Sequence, residues 1–277
     1  MANSGNKELA STATQLSAEI ARVLRNRKGL TQEQVGKQIG YTAFAVSAME
    51  TGAQPASDEM YLALDAAIGD GLGIFKSAVK YVRLDKYPKY SRDFLLLEQR
   101  AITLSVYEHL FIYGLFQTEA YARALFTCGY PPRTDQQVDE LVQARMTRKA
   151  LLECDPLPMI ELILDEGALR RGFGSPEIMR EQLLQLVADG RRRNVTLQVM
   201  PLDRGLRGEH AGGHGPMILV ETKDHGRLFY LEAQGLGVLV DDPAEVAAYS
   251  HRYAKIRAEA LSPDESLAFV EQLAGER

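Results

Sequence analysis

Apolar side chains in the first part of the chain recur at helical spacing, in short segments that end at glycine. Leu16, Ile20, Val23 and Leu24 fall on one face of a helix, and Gly29 ends that helix. Three more short helices are predicted, each preceded by a residue that can accept a hydrogen bond from the first turn: Thr31, Thr42 and Ser57. The pattern predicts a small all-α domain over residues 1–75.

From residue 93 onward the pattern becomes mixed. Helical periodicity predicts helices over residues 94–107, 118–128 and 134–152. Runs of β-branched and apolar residues then predict strands over residues 159–164, 195–200, 217–221 and 228–232. Three further helices are predicted to begin with proline, at Pro176, Pro243 and Pro263. Residues 93–277 are therefore predicted to form an α+β domain with a small sheet, and the whole chain to be mainly α.

A basic stretch separates the two predicted domains. Residues 76–92 contain six Lys or Arg residues and one acid, Asp85, although the whole chain has a net charge of −5. Tyr81, Tyr87 and Tyr90 alternate with these charges. We interpret residues 76–92 as a solvated linker, and the alternative is that they lie along a nucleic-acid backbone.

Composition excludes several classes of protein. The two cysteines, Cys128 and Cys154, are too few for a disulfide framework. The longest apolar runs, such as residues 158–164, are far shorter than the roughly 20 residues that cross a bilayer. The N-terminus has no basic patch followed by an apolar segment, so no secretory signal is expected. We expect a cytoplasmic protein without membrane attachment.

Residues 30–55, LTQEQVGKQIGYTAFAVSAMETGAQP, contain the strongest functional signal. Two short helices are joined by a tight turn at Gly40, and small residues stand where the helices cross, which is the geometry of a helix-turn-helix. The stretch resembles the phage-repressor or Cro-type family, often called XRE-like. The resemblance is carried by Leu30-Thr31-Gln32, the Ile39-Gly40 turn, Val46-Ser47, Glu50-x-Gly52 and Pro55.

The resemblance implies roles for individual residues. In that family the N-terminus of the second helix meets a phosphate, and the first residues of the third helix enter the major groove. Arg25 and Glu50 match positions that often pair within the domain. The phosphate anchors would be Thr31 and Gln32. The residues facing base edges would be Thr42, Ala43, Phe44, Ser47 and Ala48.

The third helix departs from the sequence of a strong DNA binder. Residues 42–49, TAFAVSAM, contain no Arg, Lys, Asn or Gln, the side chains that make bidentate contacts with guanine or adenine. Only Thr42 and Ser47 can hydrogen-bond to bases, whereas Ala43 and Phe44 can contact thymine methyl groups. A single copy is therefore expected to bind double-stranded DNA weakly, and binding to require a homodimer on half-sites about 34 Å apart or help from elsewhere.

The C-terminal part resembles an uncharacterised domain that follows XRE-like helix-turn-helices in actinobacterial regulators. The matching stretches lie at residues 113–124, 144–148, 165–171, 199–201, 230–232 and 260–266. Where that family usually has Pro-Gly-Leu-Leu-Gln, this chain has Tyr-Gly-Leu-Phe-Gln at residues 113–117. The resemblance implies a transcriptional regulator, sometimes described as antitoxin-like, encoded beside a small protein that is its partner.

A partner-binding site is considered on the helix that follows Thr118. Tyr121 and Arg123 are residue types that often dominate protein interfaces, but at a spacing of two they do not share a helix face. An ordinary helix start capped by Thr118 explains the same residues, and we favour this structural interpretation. Tyr121 and Arg123 remain the partner-binding candidates.

The sequence lacks signatures of catalysis. It contains no P-loop, no Gly-x-Ser-x-Gly elbow and no His-Glu-x-x-His. His210 and His214 lie in a glycine-rich segment without an evident third ligand, so we interpret this segment as a connecting loop and not as a metal site. We expect no enzyme activity, no cofactor and no metal.

Two hypotheses of function follow. In the first, the chain is a sequence-specific DNA-binding transcriptional regulator that acts as a dimer and is modulated through its C-terminal domain. In the alternative, it is an antitoxin-like interaction module that binds a small neighbour-encoded protein, and DNA binding is weak or secondary. The uncharged third helix is the feature that keeps this alternative open.

Overall fold

The computed structural model describes residues 12–54, 56–84, 89–204, 210–224, 226–233 and 236–277. The chain divides into two compact units, Met1–Tyr87 and Pro88–Arg277. The first unit is helical, and the second is built around a sheet. Within the described ranges, no helix has the length and apolar character that crossing a bilayer requires.

The N-terminal unit contains the short helices that the sequence predicts. Thr31, Thr42 and Ser57 each accept a hydrogen bond from the backbone N–H three residues later, so all three predicted caps are confirmed. Each cap satisfies an N–H group that has no partner within its own helix. The helices are α1 (Thr12–Arg27), α2 (Gln32–Ile39), α3 (Ala43–Glu50), α4 (Asp58–Ala67) and α5 (Ile74–Leu84).

Residues 76–84 belong to α5, which packs on the N-terminal unit. Phe75, Val79 and Val82 recur at helical spacing and contact its hydrophobic core, and Phe75 and Val82 are buried. The expected linker over residues 76–92 therefore corresponds to most of α5, to residues 85–88, which lie outside the described residues, and to the start of the next helix. The difference between the predicted linker and the observed helix arises because the apolar residues of α5 form a stripe that packs on the core, while the lysines lie on its other face.

The C-terminal unit has a six-stranded mixed sheet in the order β3-β2-β1-β4-β5-β6. β1, β2 and β3 are parallel, whereas β4, β5 and β6 continue the sheet with antiparallel pairing. The mixed sheet confirms the α+β fold class. The strands are β1 (Ala101–Glu108), β2 (Met159–Asp165), β3 (Val195–Met200), β4 (Met217–Thr222), β5 (Arg227–Ala233) and β6 (Leu236–Val240).

The sequence prediction is wrong at β1 and incomplete at β6. The sequence predicts a helix over residues 94–107, but the helix ends at Glu98 and a strand begins at Ala101. β1 lies in the middle of the sheet, and its buried residues, such as Leu104, Val106 and Tyr107, do not alternate strictly with exposed ones. A strand buried on both faces lacks the period of two that identifies strands in sequence. The four strands that the sequence predicts correspond to β2, β3, β4 and β5 and are confirmed.

Helices cover both faces of this sheet. On β5, the Phe229 ring stacks on Tyr249 of α11 at 3.7 Å between ring centroids, and the next residue, Tyr230, stacks on Phe94 of α6 at 4.3 Å. Since successive residues of a strand face opposite ways, α11 and α6 lie on opposite faces. The helices are α6 (Lys89–Glu98), α7 (Glu119–Thr127), α8 (Asp135–Arg148), α9 (Glu166–Arg170), α10 (Pro176–Gly190), α11 (Pro243–Glu259) and α12 (Pro263–Gly275).

Candidate nucleic-acid interface

The turn between α2 and α3 brings the two helices unusually close. Gly40 ends α2 in the left-handed conformation, with φ 77°, and Tyr41 N donates to Gly36 O at 2.8 Å. A Cβ atom on Gly36 would lie 2.6 Å from Tyr41 O and 3.2 Å from the carbonyl carbon of Thr42. Because these are backbone atoms, a side chain at residue 36 would push the turn and the start of α3 away from α2.

A buried ionic network joins the first three helices. Arg25 on α1 donates to the Glu50 carboxylate on α3 through Nε (2.6 Å) and Nη2 (2.9 Å), and through Nη1 to Leu30 O (2.8 Å). The pairing with Glu50 raises the pKa of Arg25, and burial opposes that shift. Gln32 Nε2 on α2 donates to the same carboxylate at 2.8 Å. The pairing that the resemblance implied is confirmed, and the network holds the start of α2 against the end of α3.

The start of α3 is exposed, as major-groove entry requires. Thr42, Ala43 and Phe44 are exposed, and Phe44 retains 79% of its accessible surface. Val46 and Met49 are buried on the opposite side of α3, so the helix presents one free face. The remaining predicted base-facing residues, Ser47 and Ala48, are half-buried one turn further along.

The predicted phosphate anchors lie at the start of α2. Thr31 is exposed, and its hydroxyl accepts from Gln34 N at 3.1 Å while its own N–H donates to the Gln34 side chain. Gln32 is half-buried, and one of its two amide N–H donors is used on Glu50. The backbone N–H groups of Gln32 and Glu33 and the second side-chain donor of Gln32 can therefore serve an anion at this helix N-terminus.

Positive charge near this face is sparse. Lys37 on α2 is exposed, but Glu33 is exposed on the same helix, and the only charged residue of α3 is the buried Glu50. Elsewhere in the unit, Lys28 Nζ lies 2.6 Å from the Asp70 carboxylate. Because Lys and Arg contacts with phosphate supply most of the affinity for DNA, a single copy of this surface has little electrostatic attraction for the duplex.

The structure separates the two partner-binding candidates of the C-terminal unit. Tyr121 is fully buried, and its hydroxyl accepts a hydrogen bond from Ile112 N at 3.2 Å. Arg123 is half-buried, with 43% of its side chain exposed, and it pairs with Asp139 at 2.5 Å. Tyr121 thus holds the segment that precedes α7, and of the two candidates only Arg123 is accessible to another molecule.

A buried polar network, which the sequence pattern does not predict, surrounds residues 112–118. Glu98 at the end of α6 is buried, and it accepts hydrogen bonds from the Tyr113 hydroxyl and from Arg148 Nη2, the latter at 2.7 Å. Gln182 on α10 is also buried, and it bridges Phe116 O (2.8 Å) and Thr118 N (2.7 Å). These partners are 15 to 66 residues apart in sequence, so no local spacing identifies them.

Glu108 is a second buried acid, at the end of β1. Burial raises its pKa to about 8, and the charge of Glu232 contributes to the same shift, whereas Arg145 opposes it. The carboxyl group of Glu108 is thus largely protonated at neutral pH.

Among the described residues, no group of three or more His, Cys, Asp or Glu side chains is placed to hold a metal ion, at the histidines of the glycine-rich segment or elsewhere. His210 Nδ1 lies 3.0 Å from Glu259 Oε2 on α11, and Ala211 N donates to the same oxygen at 3.4 Å. His214 is the last residue of a short 3₁₀ turn, Ala211–His214. His210 therefore attaches this loop to α11, and residues 205–209 lie outside the described residues.

Comparisons with protein families agree with the division into two units. Residues 18–69 match the model of a helix-turn-helix domain, which covers α2, α3, α4 and most of α1. Residues 91–272 match the model of a domain of unknown function, DUF5753. No curated protein and no solved structure matches the chain. The helix-turn-helix indicates a DNA-binding regulator, and because the second match spans more than half of its length, the chain belongs to the DUF5753 family.

Proposed function

We propose that this chain is a transcriptional regulator that binds double-stranded DNA as a dimer, and that its C-terminal unit supplies dimerisation and modulation. The observation that carries the proposal is the exposed start of α3, with Thr42, Ala43 and Phe44 free on a helix whose other face is buried. The Arg25–Glu50–Gln32 network supports it, because it fixes α2 and α3 in the relation that a recognition helix needs.

The chemistry of α3 explains why the proposal includes a dimer. One exposed hydroxyl and two apolar side chains can make only a few contacts with bases. Proteins that bind DNA more tightly make bidentate contacts with bases, each worth about 1–3 kcal/mol. Two copies bound to half-sites one helical turn apart double these contacts and the phosphate contacts of α2. We therefore propose that the operator is a near-palindrome.

The test uses the full-length protein and duplexes selected by it from a random library, with affinity measured by fluorescence anisotropy. Thr42→Ala removes a hydroxyl that can contact a base and that also caps α3 through Ala45 N at 3.1 Å. We expect binding about five- to tenfold weaker, the equivalent of about one hydrogen bond. Thr42→Ser keeps the hydroxyl and should bind nearly as well as the wild type.

The control for this test is Gln15→Ala, at an exposed position in the first turn of α1. It should leave the affinity unchanged. Wild-type affinity should also fall steeply with added salt, because phosphate contacts release counterions. Selection of no duplex at low salt, or equal affinities for Thr42→Ala and the wild type, would contradict the proposal.

A second candidate function is favoured by the absence of charge on the exposed face of α3. An aromatic side chain as exposed as Phe44, surrounded by Ala43 and Ala48, also suits the centre of a protein interface. In this alternative, α3 contacts a small protein encoded by an adjacent gene, and DNA binding is secondary. Isothermal titration of that protein into wild type and Phe44→Ala distinguishes the two: tight binding lost in Phe44→Ala, with no selected duplex, would favour the alternative.

A further inference from the structure

β6 is an open edge of the C-terminal sheet. It pairs with β5 on one side and ends the strand order on the other, so among the described residues no strand lies along its outer side. Its five residues, Leu-Gly-Val-Leu-Val, include no charge and no proline, the devices that usually prevent pairing at an edge. Leu236 is 69% exposed and Val238 is 45% exposed.

The opposite edge of the same sheet is closed. Val199 on β3 donates its N–H to Ser266 Oγ and accepts a hydrogen bond from Leu261 N, both at 2.9 Å. Gln198 Nε2 donates to Leu261 O at 2.8 Å. Leu261, which joins α11 to α12, and Ser266 of α12 therefore cover the end of the β3 edge from within the chain, and β6 is the edge left for another strand.

The exposed side chains of β6 form one apolar strip. In the register of the sheet, Val240 lies opposite Phe229, Val238 opposite Leu231 and Leu236 opposite Ala233. Phe229 stacks on Tyr249 of α11, so these residues share the face that α11 covers. Exposure along the strip rises from Val240, which is half-buried against the core, to Leu236.

We propose that β6 pairs antiparallel with β6 of a second copy of this chain, so that the two sheets become continuous. This proposal names the dimer interface of the function proposed above and rests on it. Centred on Val238, the pairing places Val238 against Val238 and Leu236 against Val240 of the second copy. In an edge strand, every second residue directs its N–H and C=O groups outward. In this register, residues with the same parity in the sequence lie opposite each other, so the outward N–H and C=O groups of one copy meet those of the other.

Charge selects the antiparallel orientation. Asp241 and Asp242 follow β6 at one end, and Asp242 caps α11 through Ala244 N and Glu245 N at 3.0 Å. A parallel pairing would set the two acidic ends side by side, whereas the antiparallel one places them at opposite ends of the interface. The two-fold axis then stands perpendicular to the sheet, and Leu236, Val238 and Val240 of both copies form a single apolar strip on the α11 face.

The test is the mass of the full-length protein in solution, by sedimentation velocity and light scattering. The wild type should be a dimer, and Val238→Lys should halve the mass, because two lysines would be buried against each other. Leu184→Lys is the matched control: Leu184 on α10 is also 45% exposed, and its substitution should leave the dimer intact. Circular dichroism establishes that the variants are folded.

A cross-linking experiment tests the register of the two β6 strands in the intact dimer, without a substitution that breaks the interface. In a background of Cys128→Ser and Cys154→Ser, Val238→Cys should be joined to its counterpart by a short bismaleimide, since residue 238 lies on the two-fold axis, while Leu184→Cys should not be. A monomeric wild type, a dimer that survives Val238→Lys, or equal cross-linking at residues 184 and 238 would overturn the proposal.

Failure of the interface and failure of DNA binding give different results. If β6 forms the interface, Val238→Lys should keep the half-site affinity of the wild type and lose the tighter binding to a duplex with two half-sites. An intact β6 dimer that binds no selected duplex would support the interface and contradict the regulator. A monomer that binds half-sites normally would overturn the interface and leave DNA binding in place.

Discussion

Arg25 and Glu50 form a bidentate ion pair that joins α1 to α3, with Nε–Oε1 at 2.6 Å and Nη2–Oε2 at 2.9 Å. The Glu50 side chain is 2% exposed and that of Arg25 is 12% exposed, so neither charge can turn to solvent without disturbing the helices. Through Gln32 the same carboxylate reaches α2. The pair therefore belongs to the machinery that positions the helix-turn-helix, and not to the surface that contacts a ligand.

Glu50→Ala should loosen α2 and α3. It leaves the Arg25 guanidinium, which is 12% exposed, with Leu30 O but without its carboxylate partner, and removing one partner of a buried ion pair costs about 3–5 kcal/mol. Native-state hydrogen exchange of the amides in α2 and α3 measures this loss as a lower free energy of opening. Glu19→Ala is the control, because the Glu19–Arg22 pair is more than half exposed and should contribute less than about 1 kcal/mol. Equal effects of the two substitutions would contradict the prediction.

Gly36→Ala should destabilise the helix-turn-helix although it favours the helical backbone. Alanine is preferred to glycine within a helix by about 1 kcal/mol, but here its Cβ would lie 2.6 Å from the carbonyl oxygen of Tyr41. We expect a net loss of about 1–3 kcal/mol and weaker DNA binding, measured by urea unfolding and by anisotropy. Gly275→Ala, at a helical glycine with open space around it, should be neutral or slightly stabilising. A stabilised Gly36→Ala would show that the two helices are not in close contact.

Phe44→Ala should separate binding from stability. Because Phe44 is 79% exposed, its removal should change the free energy of unfolding by less than about 0.5 kcal/mol while altering the preferred DNA sequence. Phe75→Ala, which removes a fully buried ring from the same unit, should cost about 3–5 kcal/mol. Urea unfolding and repeated duplex selection give the two readouts. A large destabilisation by Phe44→Ala would indicate that the ring is covered in solution.

Local features of the fold could be predicted from the sequence. A capping box needs only a hydroxyl and a carboxylate or amide three residues apart, so Thr31 with Gln34 and Ser262 with Glu265 identify the starts of α2 and α12. Both errors in strand prediction arise where the local signal for a strand, a run of alternating apolar and polar residues, is weak or short. β1 lies centrally and lacks strict alternation, and β6 is five residues long with Gly237 inside it.

The candidate site could be predicted only in part. The pairing of Arg25 with Glu50 came from resemblance to a family, because the two residues are 25 positions apart and nothing local connects them. The bond from Gln32 to Glu50 and the contact that excludes a side chain at residue 36 depend on how helices cross. Phe44 is exposed because Val46 and Met49, on the other side of α3, are buried. A helix of eight residues is too short for its apolar pattern to identify the buried side clearly.

Glu108→Gln should make the C-terminal unit less sensitive to a rise in pH from about 4.5 to about 8. In the folded chain burial raises the pKa of Glu108 to about 8 from an ordinary value of 4.5, so the folded state holds the proton more tightly than the unfolded state does. Wild-type stability attributable to this group is therefore complete below about pH 4.5 and is lost as the pH rises towards 8.

Glutamine has nearly the same shape and no proton to lose. Relative to the wild type, the variant should gain stability between pH 5 and pH 8, on the order of a few kcal/mol, in urea unfolding followed at several pH values. Glu140→Gln, at an exposed position on α8, should follow the wild-type pH dependence. Parallel pH profiles for wild type and Glu108→Gln would show that the Glu108 carboxyl group is hydrated in the folded protein, and that the end of β1 is open to solvent.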